Sequence, residues 1–270
     1  MQINGYLYDT HVHTSEGSAC GQNTGAEMAR AYQKAGYAGI VVTDHFFYGN
    51  TAADRSLPWK DWVEQFCKGY EHAKEEGDKI GLQVFFGWES GYHGTEFLIY
   101  GLNKEWLFEH PEIKDADVKE QYELVHAGGG IVSHAHPFRE EDYIPEIRLF
   151  PDCVDAVEGI NATHESPASM SHKNILYNEK AIAYAKEYGL PITAGSDQHT
   201  TRMIGGGMLF DRKLSDEKDF CRAVLASSAK YTKSEDKRNA EESWKDQTYR
   251  GRVCGADCCN TDSCCGSVCI

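Results

Sequence analysis

Seven histidine and carboxylate side chains have the types and positions needed to gather metal ions. His11 and His13 stand one residue apart in Asp9-Thr10-His11-Val12-His13-Thr14. On a strand, residues two apart point the same way, so both imidazoles face one point in space. Imidazole and carboxylate donors together suit Zn²⁺, Mn²⁺ or Fe²⁺. His45 follows Thr43-Asp44, Glu89 follows Gly87-Trp88, His136 precedes Pro137, and Asp197 and His199 follow Gly195-Ser196. A carboxylate such as Glu89 can bridge two ions, which imidazole cannot. One HxH pair carries little weight; seven such residues at equivalent places carry much more.

The equivalence comes from the elements that must position them. The apolar runs 38–42, 82–86, 131–133, 154–157 and 191–194 read as buried strands, and each is followed closely by one of the polar clusters. Between them lie helical stretches. Thr24-Gly25-Ala26-Glu27 has capping-box spacing and opens one that stops at Gly36. Pro58 opens another, with Trp62, Phe66 and Tyr70 on one face. Further helices are expected over 118–126, 174–188 and 216–226, and further strands over 97–100, 207–210 and 230–233. Alternating strands and helices indicate parallel βαβ units. In an α/β barrel the strand ends converge at one mouth, so clusters remote in sequence would meet there.

Composition excludes several alternatives. The chain has 270 residues, 41% of them hydrophobic, enough for one barrel-sized core. A net charge of −15 argues against charge-driven binding to duplex nucleic acid. No apolar run approaches the ~20 residues of a membrane helix, and the start of the chain lacks a signal-peptide pattern. The expectation is a cytoplasmic protein with no membrane partner. Cys20, Cys67, Cys153 and Cys221 read as reduced, mostly buried small residues.

Taken in order, the motifs around His11 and His13, His45, Glu89, His136, and Asp197 and His199 resemble those of the PHP (polymerase and histidinol phosphatase) family. The resemblance runs from the first strand to about Thr200. It implies a distorted (β/α)7 barrel, TIM-barrel-like, with two or three divalent ions (Zn, Mn or Fe) at the C-terminal face of the strands. It also implies a role for each residue. His11, His13 and Asp197 would hold a first ion, Glu89 would bridge, His136 would hold a second ion, and His45 and His199 a third. Asp9 would orient a ligand histidine. Glu158 matches a recurrent segment without a settled role. Two departures stand out: the loop Ser15-Glu16-Gly17-Ser18-Ala19-Cys20 lacks the histidine many members carry, and after Glu89 both His93 and Glu96 compete for a further ligand position. Cys20 is read as packing rather than as a substitute ligand, and His134 as a group behind His136. His72, His110, His126, His164 and His172 are read as surface residues.

The expected activity is hydrolysis of a small phosphomonoester (a sugar phosphate, a nucleotide or histidinol phosphate) by a hydroxide shared between two ions. Arg139 or Arg202 would neutralise phosphoryl charge, and His199 would protonate the leaving oxygen. The competing readings are an amidohydrolase-like metal hydrolase and a non-catalytic metal-binding module. The domain is expected to span 1–233, followed by a charged linker and Cys-rich tail over 234–270. The tail spacing C-x3-C-C-x4-C-C-x3-C contains no CxxC pair, so a zinc-finger reading is weak.

Overall fold

The computed structural model of the chain describes residues 5–232, apart from 167, 168, 170, 171, 173 and 228. The expected linker and Cys-rich tail lie outside the described residues. The strands are β1 (Tyr6–Val12), β2 (Gly39–Val42), β3 (Gln83–Tyr92), β4 (Thr95–Tyr100), β5 (Ile131–Ala135), β6 (Ala156–Asn161), β7 (Ile192–Gly195), β8 (Gly207–Phe210) and β9 (Ala229–Thr232). The helices are α1 (Gly25–Lys34), α2 (Trp59–Phe66), α3 (Lys68–Ile80), α4 (Lys104–Glu109), α5 (Val118–Ala127), α6 (Ile175–Tyr188) and α7 (Glu217–Leu225). No helix among the described residues is long and apolar enough to cross a membrane.

The strands form one sheet in the order β7-β6-β5-β4-β3-β2-β1-β8-β9. It curls until its two regions meet. His13 N donates to Gln198 O at 2.8 Å, and Gln198 N to His11 O at 3.3 Å, so β1 joins the residues just past β7. Gly195 makes that approach possible: a Cβ there would lie 2.5 Å from His11 Cβ. The expected distorted barrel is therefore present. Its distortion is that β4 runs antiparallel to both neighbours, and β8 antiparallel to β1. No crossover helix joins β3 to β4. They form a two-residue hairpin at His93-Gly94, with φ of +49° and +87°, the left-handed pair such a tight turn requires.

Alternation sorts the strand residues. Tyr8, Val41, Phe85, Leu98, Tyr100, Ile131 and Ala194 pack inside the barrel. Val42, Ile40 and Val84 meet α1 and α3, while Phe86, Trp88, Ile99 and Val132 meet the aromatic layer of Trp62 and Phe66. The expected helix from Pro58 is divided at Cys67, whose ψ of −4° opens the turn between α2 and α3.

The capping box at Thr24 is formed: its side chain accepts from Glu27 N, and Glu27 accepts from Thr24 N at 2.8 Å. Thr24→Ala is expected to cost about 1 kcal/mol, a fall of about 2–4 °C in the calorimetric midpoint for a domain of this size. An unchanged midpoint would mean that α1 is held by its buried face alone.

Candidate metal centre

A bulge decides the orientation of the first two histidines. Along β1, Tyr8 points into the barrel. Strict alternation from it would send His11 and His13 outward. The pairing of β1 with β2 shifts register between Asp9 and Val12, and such an extra residue re-aims the side chains beyond it. His11 and His13 thus turn inward, with Nε2 atoms 3.1 Å apart. Strands β2 and β3 need no such correction. From Val41 the period of two passes through Thr43 to His45, and from Phe85 through Gly87 to Glu89.

Donor spacings are those of a metal site. Ligands around a four-coordinate ion at about 2.0–2.1 Å lie about 3.3–3.4 Å from one another. His11 Nε2 is 3.3 Å from Glu89 Oε1 and 3.6 Å from Asp197 Oδ1. His13 Nε2 is 3.6 Å from Glu89 Oε2 and 3.3 Å from Asp197 Oδ1. The second region has His136 Nε2 3.0 Å from Glu89 Oε1 and 3.6 Å from Glu96 Oε2. In the third, His13, His45 and His199 converge, with His45 Nδ1 2.7 Å from Glu89 Oε2. That pair is too poorly aligned to be a hydrogen bond, and both atoms are buried without one. Buried lone pairs facing one another without donors are costly. A cation between them removes that cost, so the donor set fits divalent metal ions.

The electrostatics agree. Burial pulls His11 down, but Glu158, Asp197 and Glu89 outweigh it and raise its pKa well above the usual range. Burial and the charges of His199 and His45 push His13 well below it. Burial raises Glu89 and Asp197, yet the surrounding imidazolium charge, and Arg139 for Asp197, hold both carboxyls well below their usual range. Both carboxylates stay ionised, and His13 is the neutral donor metals require.

Two backbone outliers sit within this group. His136 has φ +26° and Asp197 φ +55°. Non-glycine residues held there are strained, and such strain collects at functional sites.

All seven residues expected to hold metal are brought together, but several supporting roles differ from expectation. Asp9 touches no imidazole. Its carboxylate accepts from His11 N (3.2 Å), Ser196 N (2.9 Å) and Tyr32 Oη (2.8 Å), tying β1 to β7, and burial pushes its pKa up to about 6. Glu158 orients His11 instead: Oε1 accepts from His11 Nδ1 at 2.8 Å, and Oε2 from His136 N at 3.1 Å. His13 is oriented by Ser18, whose hydroxyl lies 3.1 Å from His13 Nδ1 and donates to Asp44 at 2.7 Å. Of the two competitors after Glu89, Glu96 faces the site. It shares the inward period with Leu98 and Tyr100, whereas His93 is spent on the hairpin turn.

His134 is a correction. Strand β5 continues through Ala135, so His134 points opposite to Ser133 and Ala135 and stacks on Phe97 at 5.0 Å. Burial pulls its pKa down to about 3, and it takes no part in the site. His164 is another: it is buried, with Nδ1 3.0 Å from Asn178 Oδ1. Cys20 is half-buried, and the His45 and His199 rings act on its thiol. Burial alone would raise its pKa, but those two rings lower it to about 6. Cys67 and Cys221 are buried as expected, and burial pushes the Cys221 thiol up to about 12.

Arg139 is buried and pairs with Asp197 Oδ2, while its Nε has no partner. Arg202 is exposed. A shallow, open cleft lies beside His136, lined by Glu96, Arg139, Ile144, Ile147 and Arg148 among others.

Comparison with known proteins bears on this arrangement. Residues 176–228, spanning α6 to α7, match the family described as PHP-associated. That match covers about a fifth of the chain. Its barrel is similar to that of a two-domain protein from Bacteroides vulgatus containing a predicted PHP-like metal-dependent phosphoesterase, at 13% identity and a TM-score of 0.60 over 84% of this chain. This chain spans 64% of that protein's length. It is also similar to PsfC from Pseudomonas syringae, at 18% identity and a TM-score of 0.54, covering 81% of this chain and 88% of that one. No curated protein matches the sequence. At these identities the structural likenesses speak for the barrel fold alone; the site rests on the geometry above.

Proposed function

We propose that this protein is a PHP-like, metal-dependent hydrolase of small phosphomonoesters. The observation that carries the reading is a buried guanidinium, Arg139, set against a cluster of metal-type donors with its Nε unpartnered. Amide and lactone hydrolysis needs no such fixed cation, whereas a phosphoryl group carries charge on every non-bridging oxygen. The Bacteroides protein's description as containing a predicted PHP-like metal-dependent phosphoesterase points the same way.

His11, His13, Glu89 and Asp197 would hold one ion, with Glu89 shared toward His136 and Glu96. Divalent cations there supply Lewis-acid chemistry, polarising a phosphoryl group and acidifying water. The chain's own residues do the rest. Arg139 donates from Nε to a non-bridging oxygen while its other edge stays on Asp197. The open cleft beyond His136 is where the leaving group would extend. His199, whose side chain is 26% exposed, lies on the open edge where a proton can pass to the leaving oxygen.

A phosphate-release screen over sugar phosphates, nucleotides and histidinol phosphate, run beside amide and lactone panels, tests the reading. Turnover confined to the amide or lactone panel would overturn it. Arg139→Ala is expected to lower kcat/KM on the best phosphoester by about 10²–10³-fold, the scale of removing one oriented donor from a charged transition state. Arg139→Lys should recover only part, because lysine cannot hold Asp197 and a phosphoryl oxygen in one fixed fork. Metal content measured alongside separates this effect from loosening of Asp197.

A further inference from the structure

We propose that Asp44 is a positioning residue of the metal centre: acting through Ser18, it fixes which ring nitrogen of His13 is free to bind an ion. The proposal rests on reading the donor clusters as metal sites, and is independent of which ester is hydrolysed. Asp44 is a buried acid, sealed on two sides. A Cβ on Gly17 would collide with its carboxyl carbon, and one on Gly69 of α3 would lie 2.9 Å from its Oδ2. Its carboxylate accepts three hydrogen bonds, each at 2.7 Å: Oδ1 from Thr14 N and Ser18 Oγ, Oδ2 from Thr14 Oγ1. These satisfy a charge whose burial would otherwise be costly.

Counting protons at Ser18 settles the state of His13. The hydroxyl has one proton and two lone pairs. Its neighbours are Asp44 Oδ1 at 2.7 Å, His45 N at 3.0 Å and His13 Nδ1 at 3.1 Å. The carboxylate can only accept, and the His45 N–H can only donate. The Ser18 proton therefore goes to Asp44, and one lone pair takes the His45 N–H. A lone pair is all that remains for His13, so Nδ1 carries the ring proton. The free Nε2 lone pair then faces Asp197 Oδ1 at 3.3 Å and Glu89 Oε2 at 3.6 Å, the direction from which an ion would be shared.

Removing the carboxylate reverses the count. In Asp44→Ala the Ser18 proton loses its acceptor and turns to His13 Nδ1. The ring proton moves to Nε2, where Asp197 and Glu89 accept it and where it blocks an ion. Asp44→Asn preserves the count. Thr14 N and the Ser18 proton both keep the amide oxygen at the Oδ1 position, and the NH₂ group meets Thr14 Oγ1, which can accept.

The test is nitrogen NMR of the His13 ring in the metal-free full chain at neutral pH, with zinc affinity measured by chelator competition. Wild type and Asp44→Asn are expected to carry the ring proton on Nδ1 and to bind zinc with similar affinity. Asp44→Ala is expected to carry it on Nε2 and to bind about 10–100-fold more weakly, the usual scale for losing a partner behind a ligand. Ser18→Ala, which leaves Thr14 on the carboxylate, should do the same and serves if Asp44→Ala does not fold. A ring proton that stays on Nδ1 in these variants would overturn the proposal, as would Asp44→Asn behaving like Asp44→Ala. A proton that moves as expected while even His13→Ala leaves zinc affinity unchanged would uphold the relay and overturn the metal reading beneath it.

Discussion

Glu89→Gln is expected to remove at least one ion per chain and to lower phosphoester turnover by about 10³-fold, with the fold intact. The reason lies in the four imidazoles around one carboxylate. Oε1 faces His11 at 3.3 Å and His136 at 3.0 Å; Oε2 faces His13 at 3.6 Å and His45 at 2.7 Å. Glutamine keeps one oxygen and replaces the other by an NH₂ group, which donates and cannot ligate. One pair of imidazoles therefore loses its shared anion whichever way the amide turns. The lost charge also removes electrostatic stabilisation from the point where phosphoryl charge develops, for which a factor of about 10³ is an ordinary magnitude. Elemental analysis with a phosphate-release assay on the same sample checks both parts. Full metal content with full activity would refute Glu89 as the shared ligand.

Glu158→Gln is the second large effect. This residue belongs to none of the donor groups, yet its substitution is expected to weaken metal binding or activity by about 10–100-fold. Glu158 Oε1 accepts from His11 Nδ1 at 2.8 Å; Oε2 accepts from His136 N at 3.1 Å and Asn161 Nδ2 at 3.2 Å. All three partners donate, so an amide must set its own NH₂ against a donor. In one orientation it opposes the His136 backbone and Asn161, in the residue already strained at φ +26°. In the other it opposes His11 Nδ1 and forces the tautomer whose proton sits on Nε2, where a metal would bind. Titrating the metal-free protein with zinc against a competing chelator measures the loss. An unchanged affinity would mean that His11 is oriented by the barrel wall alone.

The comparison of these two residues shows what was legible in the sequence. Glu89 stands directly past an apolar strand, in period with Phe85, and its place in the mouth follows from alternation. So does the place of His45, whereas His136 has the parity of outward-facing His134 and is turned into the mouth by its left-handed backbone. Glu158 also follows a strand, but nothing local distinguishes a carboxylate that binds an ion from one that orients its ligand; that depends on how deeply β6 sits beside β1. Asp9 illustrates the same limit, since its partners Tyr32 and Ser196 come from α1 and past β7. The bulge in β1 left no mark in the sequence, and the inward pair at His11 and His13 depends on it. One misreading and one choice left open had signals that could have settled them. Extending β5 by two residues puts His134 on the outer face by simple alternation. The period Glu96, Leu98, Tyr100 across a His93-Gly94 turn selects Glu96 over His93. Cys20 lacked any such signal, because its position is set by backbone bonds to Asn50 and His199 across a loop without regular structure.

The central claim is that His11, His13, Glu89 and Asp197 enclose an ion and share Glu89 with a second near His136. Anomalous diffraction from crystals of the purified protein, recorded at the manganese, iron and zinc edges, tests it most directly. The account predicts a peak among His11 Nε2, His13 Nε2, Asp197 Oδ1 and Glu89, and another between Glu89 and His136. Ions bound only elsewhere on the chain, with these side chains in place and no peak among them, would contradict it.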